Sequence, residues 1–204
     1  MASSVEWMGV VLAGGQSRRM GQDKALLAHP KGGTFLDHLV GLFEQINIQT
    51  AISGHLPGED NWPAPVISDE LKGEGPLGGL ISVLRAYPGK YLMCVAVDMP
   101  GLQAASLRYL MDKSINNSVL ARCYALPTGE GNVRKYPFRP FPLVLAPQSL
   151  GALRHAFLDG ERALMPVLAQ LSPEKIPVSP LVEPTLFNVN TPEALQDYYD
   201  SVSP

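Results

Sequence analysis

The stretch MGVVLAGG, Met8 to Gly15, constrains the fold most: a short apolar run broken at once by Ala13-Gly14-Gly15. It shows no polar alternation, so it reads as a strand buried on both faces, the kind found in parallel sheets covered by helices on each side. Tyr91 to Val97 (YLMCVAV) repeats the pattern and is stopped by Asp98-Met99-Pro100.

Helical spacing fills the intervals between such runs. Thr34 suits an N-cap, and Phe35, Leu36, Leu39, Val40, Phe43 and Ile46 recur with a helical period behind it. Leu77, Leu80, Ile81 and Leu84 make a second stripe, and Leu107, Leu110 and Met111 a third. Short extended segments are expected at Gln49 to Ser53, Pro65 to Ser68, Ser118 to Ala125, Leu143 to Pro147 and in KIPVS. Ser149 to Leu158 and Ala163 to Leu171 read as helices. Phe187 to Asn190 reads as a last short strand, followed by Thr191 as N-cap, Pro192 at the first helical position and a helix to about Tyr199. Leu126 to Pro142 (LPTGEGNVRKYPFRPFP) fits no regular element and reads as a long loop that shapes a substrate site, docks a partner or is simply disordered.

Strands alternating with helices imply a three-layer α/β fold with a mostly parallel central sheet. The 204 residues, 46% of them hydrophobic, suit a single domain over 1–204. A net charge of -3 supplies no basic field, so no nucleic-acid partner is expected. Apolar residues never run unbroken for roughly 18 positions, and no basic region precedes the first short run, so the expected location is cytoplasmic, without a membrane. Cys94 and Cys123 lack metal or redox spacing and read as buried free thiols, while His29, His38, His55 and His155 share no ligand spacing and read as core or surface residues.

Ligands of such sheets bind beyond the carboxyl ends of the strands, and three chemistry-bearing segments follow expected strands there, at Ala13, Asp98 and Asn188. The first continues as LAGGQSRRMGQDKALL, joining glycines to Arg18, Arg19 and Lys24. It has no Gly-Lys-Ser/Thr and no G-x-G-x-x-G, which sets aside the P-loop and the dinucleotide fingerprint. Glycines that let backbone N–H groups approach phosphate oxygens, with cations to neutralise the remaining charge, suit a nucleoside triphosphate.

The same residues carry a resemblance. LAGGQSRRMGQDKALL resembles the L-A-G-G-x-S-x-R-M-G-x-D-K signature of the molybdenum cofactor guanylyltransferases, the MobA family. SDELKGEGPLGGL resembles that family's D-x-x-x-x-x-G-P-L-x-G segment, VAVDMPGL its D-x-P motif, and FNVNTPEAL its N-x-N-T-P-E-D-L ending, with Ala194 in place of the second acid. The resemblance implies a Rossmann-like nucleotidyltransferase fold and transfer of GMP from Mg-GTP to molybdopterin, with release of pyrophosphate. Molybdenum-insertion proteins and acceptor molybdoenzymes would then be transient partners.

Residue by residue, the resemblance places Leu12, Ala13, Gly14 and Gly15 at the nucleotide, Arg19 and Lys24 on the phosphates, and Asp98 on Mg²⁺. Asp69, followed by the flexible GEGPLGG, would contact the nucleotide, and Gly75 to Gly79, Gly78 among them, would form the wall against the purine. Asn188 and Asn190, alternating on one face, would bond the second substrate or a phosphate. Arg18 falls at a variable position and is expected at the surface; Asp23 either orients Lys24 or caps a loop. Arg139, Pro142-Leu143 and Gly160-Glu161-Arg162 match weakly the region that forms the pterin side. The family's asparagine after the second strand is replaced by Ser53 and Gly54. Two other readings remain open at this point: a CTP- or sugar-phosphate-dependent nucleotidyltransferase, against which Gly14 and the FNVNTPE ending speak, and a non-catalytic nucleotide-binding delivery protein, which need not have kept Lys24 and Asp98.

Overall fold

A computed structural model describes residues 5–13, 23–54, 56, 62–69, 75–111, 118–126 and 135–202. Among these residues, seven strands form one sheet: β1 (Trp7–Leu12), β2 (Thr50–Ser53), β3 (Val66–Ile67), β4 (Tyr91–Ala96), β5 (Ala121–Ala125), β6 (Phe138–Leu145) and β7 (Glu174–Ile176). Their order is β3-β2-β1-β4-β6-β5-β7, and β6 alone runs antiparallel to its neighbours.

The buried strands alternate strictly, although both sets of side chains are apolar. In β4, Tyr91, Met93 and Val95 enter one core while Leu92 and Cys94 enter the other. The first core is closed by α1 (Phe35–Glu44) and α3 (Ala104–Met111). The second is closed by α2 (Gly75–Ala86), α4 (Ser149–Leu158) and α5 (Leu164–Gln170). The result is the expected three-layer, mostly parallel α/β sandwich. Leu36, Leu39 and Phe43 of α1 are at most 1% exposed, and each such side chain contributes roughly 1.5–3 kcal/mol. Thr34 starts α1 with a full capping box: its hydroxyl accepts from the Asp37 N–H, and the Asp37 carboxylate accepts from the Thr34 N–H. Cys94 and Cys123 are buried free thiols, and burial pushes both up, Cys123 to about 12. Among the described residues, no helix is long and apolar enough to cross a membrane.

Three sequence expectations change. The Leu126–Pro142 stretch is not one long loop, because Phe138 to Pro142 opens β6. Pro140 and Pro142 disguised that strand, but β4 pairs with it only from Leu143 onward, so the prolines fall where no ladder bond to β4 is required. Residues 127–134 of the stretch lie outside the described residues. Gly75 to Gly79 are not loop but the first turns of α2, with Gly78 and Gly79 buried. Phe187 to Asn190 forms no ladder strand; it runs irregularly beside the end of β4 through a bond from the Val189 N–H to the Asp98 carbonyl, 2.8 Å.

The sheet order positions the site. Leu12 and Ala96 are register partners, so the chain leaving β1 and the chain leaving β4 emerge side by side. From β1 the next strand lies to one side and from β4 to the other, a switch point where the two crossovers diverge and leave a crevice.

Candidate active site

Four side chains from three distant segments meet at this crevice. Lys24 opens a short 3-10 turn (Lys24–Leu26) capped by Asp23, whose carboxylate accepts from the Ala25 N–H at 3.0 Å. Asp23 therefore does the capping work, one of the two roles left open for it. Lys24 Nζ donates to Asn190 Oδ1 at 2.7 Å and lies 3.5 Å from Asp98 Oδ2. Asn188 Nδ2 donates to Asp98 Oδ1 at 2.7 Å. Asn188 and Asn190 do reach the same locus, while Val189 between them is buried against Phe35, Leu27 and Tyr198.

The Lys24 and Asp98 side chains keep 13% and 18% of their surface, enough to be reached by a ligand yet shielded enough to strengthen charge interactions. Asp98 Oδ2 has, among the described residues, only the loose Lys24 contact, so it retains capacity for a cation. Among the described residues, no three His, Cys, Asp or Glu side chains cluster as a metal cage. Mg²⁺ does not require one, since it commonly takes one or two protein carboxylates and completes its shell with water and phosphate oxygens. The donor set therefore fits Mg²⁺ carried with phosphates.

A second group lies on the other side of β1. Asp69, just beyond β3, approaches the Ser82 hydroxyl at 3.5 Å, and that hydroxyl donates to the Gly78 carbonyl at 3.0 Å. A Cβ on Gly79 would collide with Ser53 Oγ and stand 3.6 Å from Leu12 Cδ2. Leu12, Ser53, Asp69 and the start of α2 thus form one wall, with Ser82 a member that sequence pattern did not reveal. Ala13 is buried and donates its N–H to the Ser53 carbonyl at 2.9 Å, linking the wall to the crevice. Gly14, Gly15, Arg18 and Arg19 lie outside the described residues.

Behind Asp98 sits a polar node built on two stacked histidines, His29 and His38. His29 is 5% exposed; its Nδ1 accepts from the Lys31 N–H at 3.2 Å, so in the neutral ring Nε2 carries the proton. That nitrogen faces the Pro100 carbonyl at 3.2 Å and the Tyr198 hydroxyl at 2.9 Å; the hydroxyl itself donates to the same carbonyl. His38 stacks on His29 with centroids 4.0 Å apart and bonds the Leu102 carbonyl through Nε2. Burial lowers both rings below the usual imidazole range, His38 to about 4. Tyr198 belongs to α6 (Pro192–Val202), which Thr191 caps, so the last helix braces the turn that follows Asp98.

Arg139 does not present a free cation. Its guanidinium bonds the Leu186 carbonyl and Glu183 Oε1, both at 2.8 Å. Arg162 stacks 3.9 Å over Phe157 and bonds its carbonyl. Both arginines are thus engaged by protein groups.

The chain matches the MobA-like NTP transferase domain over residues 9–176. The probable molybdenum cofactor guanylyltransferase of Mycobacterium avium is 43% identical over 108 residues, 49% of this chain; the chain spans only about half, 53%, of that relative's length. The corresponding protein of Chloroflexus aggregans is 30% identical over 199 residues, covering 92% of this chain and 91% of its own. The crystal structure of molybdopterin-guanine dinucleotide biosynthesis protein A from Archaeoglobus fulgidus superposes with a TM-score of 0.69 at 23% identity, covering 95% of this chain and 97% of that one, a likeness of fold. With the domain match spanning most of the sequence and 30% identity maintained almost end to end, the chain belongs to the MobA-like NTP transferase family.

Proposed function

We propose that the protein transfers GMP from Mg-GTP to molybdopterin. A phosphate oxygen of the pterin forms a bond to the α-phosphorus of GTP, the bond from that phosphorus to the β-phosphate oxygen breaks, and pyrophosphate leaves with the electron pair. The observation that carries this reading is the meeting of Lys24, Asp98, Asn188 and Asn190 at the switch point of the sheet. Relatives named molybdenum cofactor guanylyltransferase support guanylyl transfer in molybdenum-cofactor formation as the class of reaction.

Asp98 is the residue to hold Mg²⁺, which when bound supplies charge neutralisation across the phosphates. Lys24, preset beside Asp98, stabilises charge on the transferring group and on the leaving pyrophosphate. Asn190 fixes the Lys24 ammonium, and Asn188 fixes the carboxylate plane of Asp98 while its exposed flank remains available to the pterin phosphate. Gly14, Gly15 and Arg19 are assigned to the triphosphate, and the wall of Leu12, Ala13, Asp69 and Gly78 to the guanine nucleoside. The assembled site calls for positioning and neutralisation, with no covalent enzyme intermediate.

Calorimetric titration with GTP, CTP and ATP in Mg²⁺, followed by turnover with molybdopterin, tests the proposal. Selective GTP binding and formation of the guanine dinucleotide are expected. Preference for CTP would transfer the assignment to a cytidylyltransferase, and nucleotide binding without turnover would favour a delivery protein.

A further inference from the structure

The two asparagines stand on a segment that no sheet ladder supports, so something else must fix their position to within the tolerance of a hydrogen bond. Three contacts do so. The Arg139 guanidinium, projecting from β6, holds the Leu186 carbonyl at 2.8 Å and Glu183 Oε1 at 2.8 Å. The Phe187 ring lies so close to Gly101 that a Cβ there would overlap its Cε1 and Cζ atoms, and the same ring packs against Tyr198 with centroids 5.4 Å apart. The Val189 N–H then closes onto the Asp98 carbonyl at 2.8 Å. Beyond this last anchor, the Asn188 and Asn190 side chains reach Asp98 and Lys24.

We propose that Arg139 and Gly101 are positioning residues for nucleotidyl transfer. They act through Asn188 and Asn190: Arg139 sets where the segment enters, and the bare surface of Gly101 lets Phe187 seat deeply enough for Val189 to bond Asp98. The proposal rests on the reading of the Lys24–Asp98 locus as the transfer site. Arg139 is engaged by Leu186 and Glu183, and Gly101 faces Phe187, so their loss should act on the chemical step through the asparagines and leave nucleotide affinity largely intact.

The test uses the full chain carrying Gly101→Ala, Arg139→Ala, Arg139→Lys, or Gly101→Ala together with Phe187→Leu. Amide exchange at Val189 is read beside steady-state kinetics with Mg-GTP and molybdopterin. Gly101→Ala and Arg139→Ala are expected to speed Val189 exchange and lower kcat by roughly 10-fold or more, while KM for GTP stays within about 2-fold. Arg139→Lys should recover part of the loss, because an ammonium can still reach one of the two acceptors. Shrinking the ring in the double variant should restore most of kcat and slow Val189 exchange again, while the melting temperature of Gly101→Ala stays well above the assay temperature, which separates displacement of the segment from global unfolding. Full kcat in both Gly101→Ala and Arg139→Ala, or a double variant no better than Gly101→Ala alone, would overturn the proposal. Absence of turnover by the wild-type protein would instead remove the transfer reading itself, and the proposal with it.

Discussion

The Lys24 ammonium donates to Asn190 Oδ1 at 2.7 Å although 166 residues separate the two in sequence. The first loop of the domain is thereby tied to its last segment, and Asp98, 3.5 Å from the same ammonium, is drawn into the pair. Asn190 lies beyond residue 176, where the domain match ends, so the cluster joins residues inside and outside the matched stretch.

Removing either charge at this locus should halt transfer for different reasons. Lys24→Ala deletes a donor aimed at developing phosphate charge and should cost on the order of 100-fold in kcat. Asp98→Ala should abolish Mg-GTP-dependent transfer with the fold intact, since the carboxylate sits at a strand end outside both cores. Single-turnover rates with circular dichroism controls check both; wild-type turnover in Asp98→Ala would remove Asp98 from the mechanism.

Asn188→Ala probes the orientation of the carboxylate. The amide holds Asp98 Oδ1 at 2.7 Å and should matter as groups behind metal ligands generally do, with a loss of roughly 10–100-fold in Mg²⁺ affinity or activity. Mn²⁺ titration followed by paramagnetic relaxation would measure it directly. An unchanged metal affinity would confine Asn188 to the second substrate.

Much of this site was legible because its chemistry is concentrated in runs that also punctuate the fold. Asp98 follows an unbroken apolar run, and Ala13-Gly14-Gly15 ends another, so strand ends and candidate ligand groups coincide in the sequence. The asparagine pair is marked by the resemblance of FNVNTPEAL to the N-x-N-T-P-E ending, and its alternation puts both on one face even though the segment is irregular. What escaped was carried by single contacts between distant residues. Nothing in LVEPTLF or FRPFP shows that Arg139 and Glu183 will meet, and nothing near Gly101 shows that it must be bare to admit Phe187. Prolines likewise concealed the start of β6, because a sequence does not reveal which edge of a strand lacks a bonding partner.

Gly9, in the middle of β1, tests the packing of the first core. A Cβ there would stand 2.6 Å from Phe43 Cδ1 and Cγ, and Phe43 is fully buried in α1. A buried ring this close must be displaced to admit the methyl group, so Gly9→Ala should destabilise the protein by about 1–3 kcal/mol, the usual range for overpacking. Urea denaturation at constant m-value would show it as a lowered midpoint. A companion Phe43→Leu substitution should make Gly9→Ala less harmful than it is in the wild-type background.

The stacked imidazoles behind Asp98 give stability a definite pH dependence. Burial lowers His38 from 6.5 to about 4, against the opposing Leu102 carbonyl bond, with His29 and Lys31 adding to the depression; burial also lowers His29. The folded protein therefore binds fewer protons at these rings than the unfolded chain does between about pH 6.5 and 4. Stability from this pair is fully present above pH 6.5, declines as the pH falls through that window, and is gone below the folded-state value. His29 has a further reason to resist protonation, because its Nδ1 already accepts the Lys31 N–H and a proton there would oppose that donor. His38→Gln can keep a donor to Leu102 without titrating, and it should flatten the melting-temperature profile between pH 6.5 and 4 relative to wild type. An identical slope in the two proteins would show that the acid sensitivity of the fold arises elsewhere.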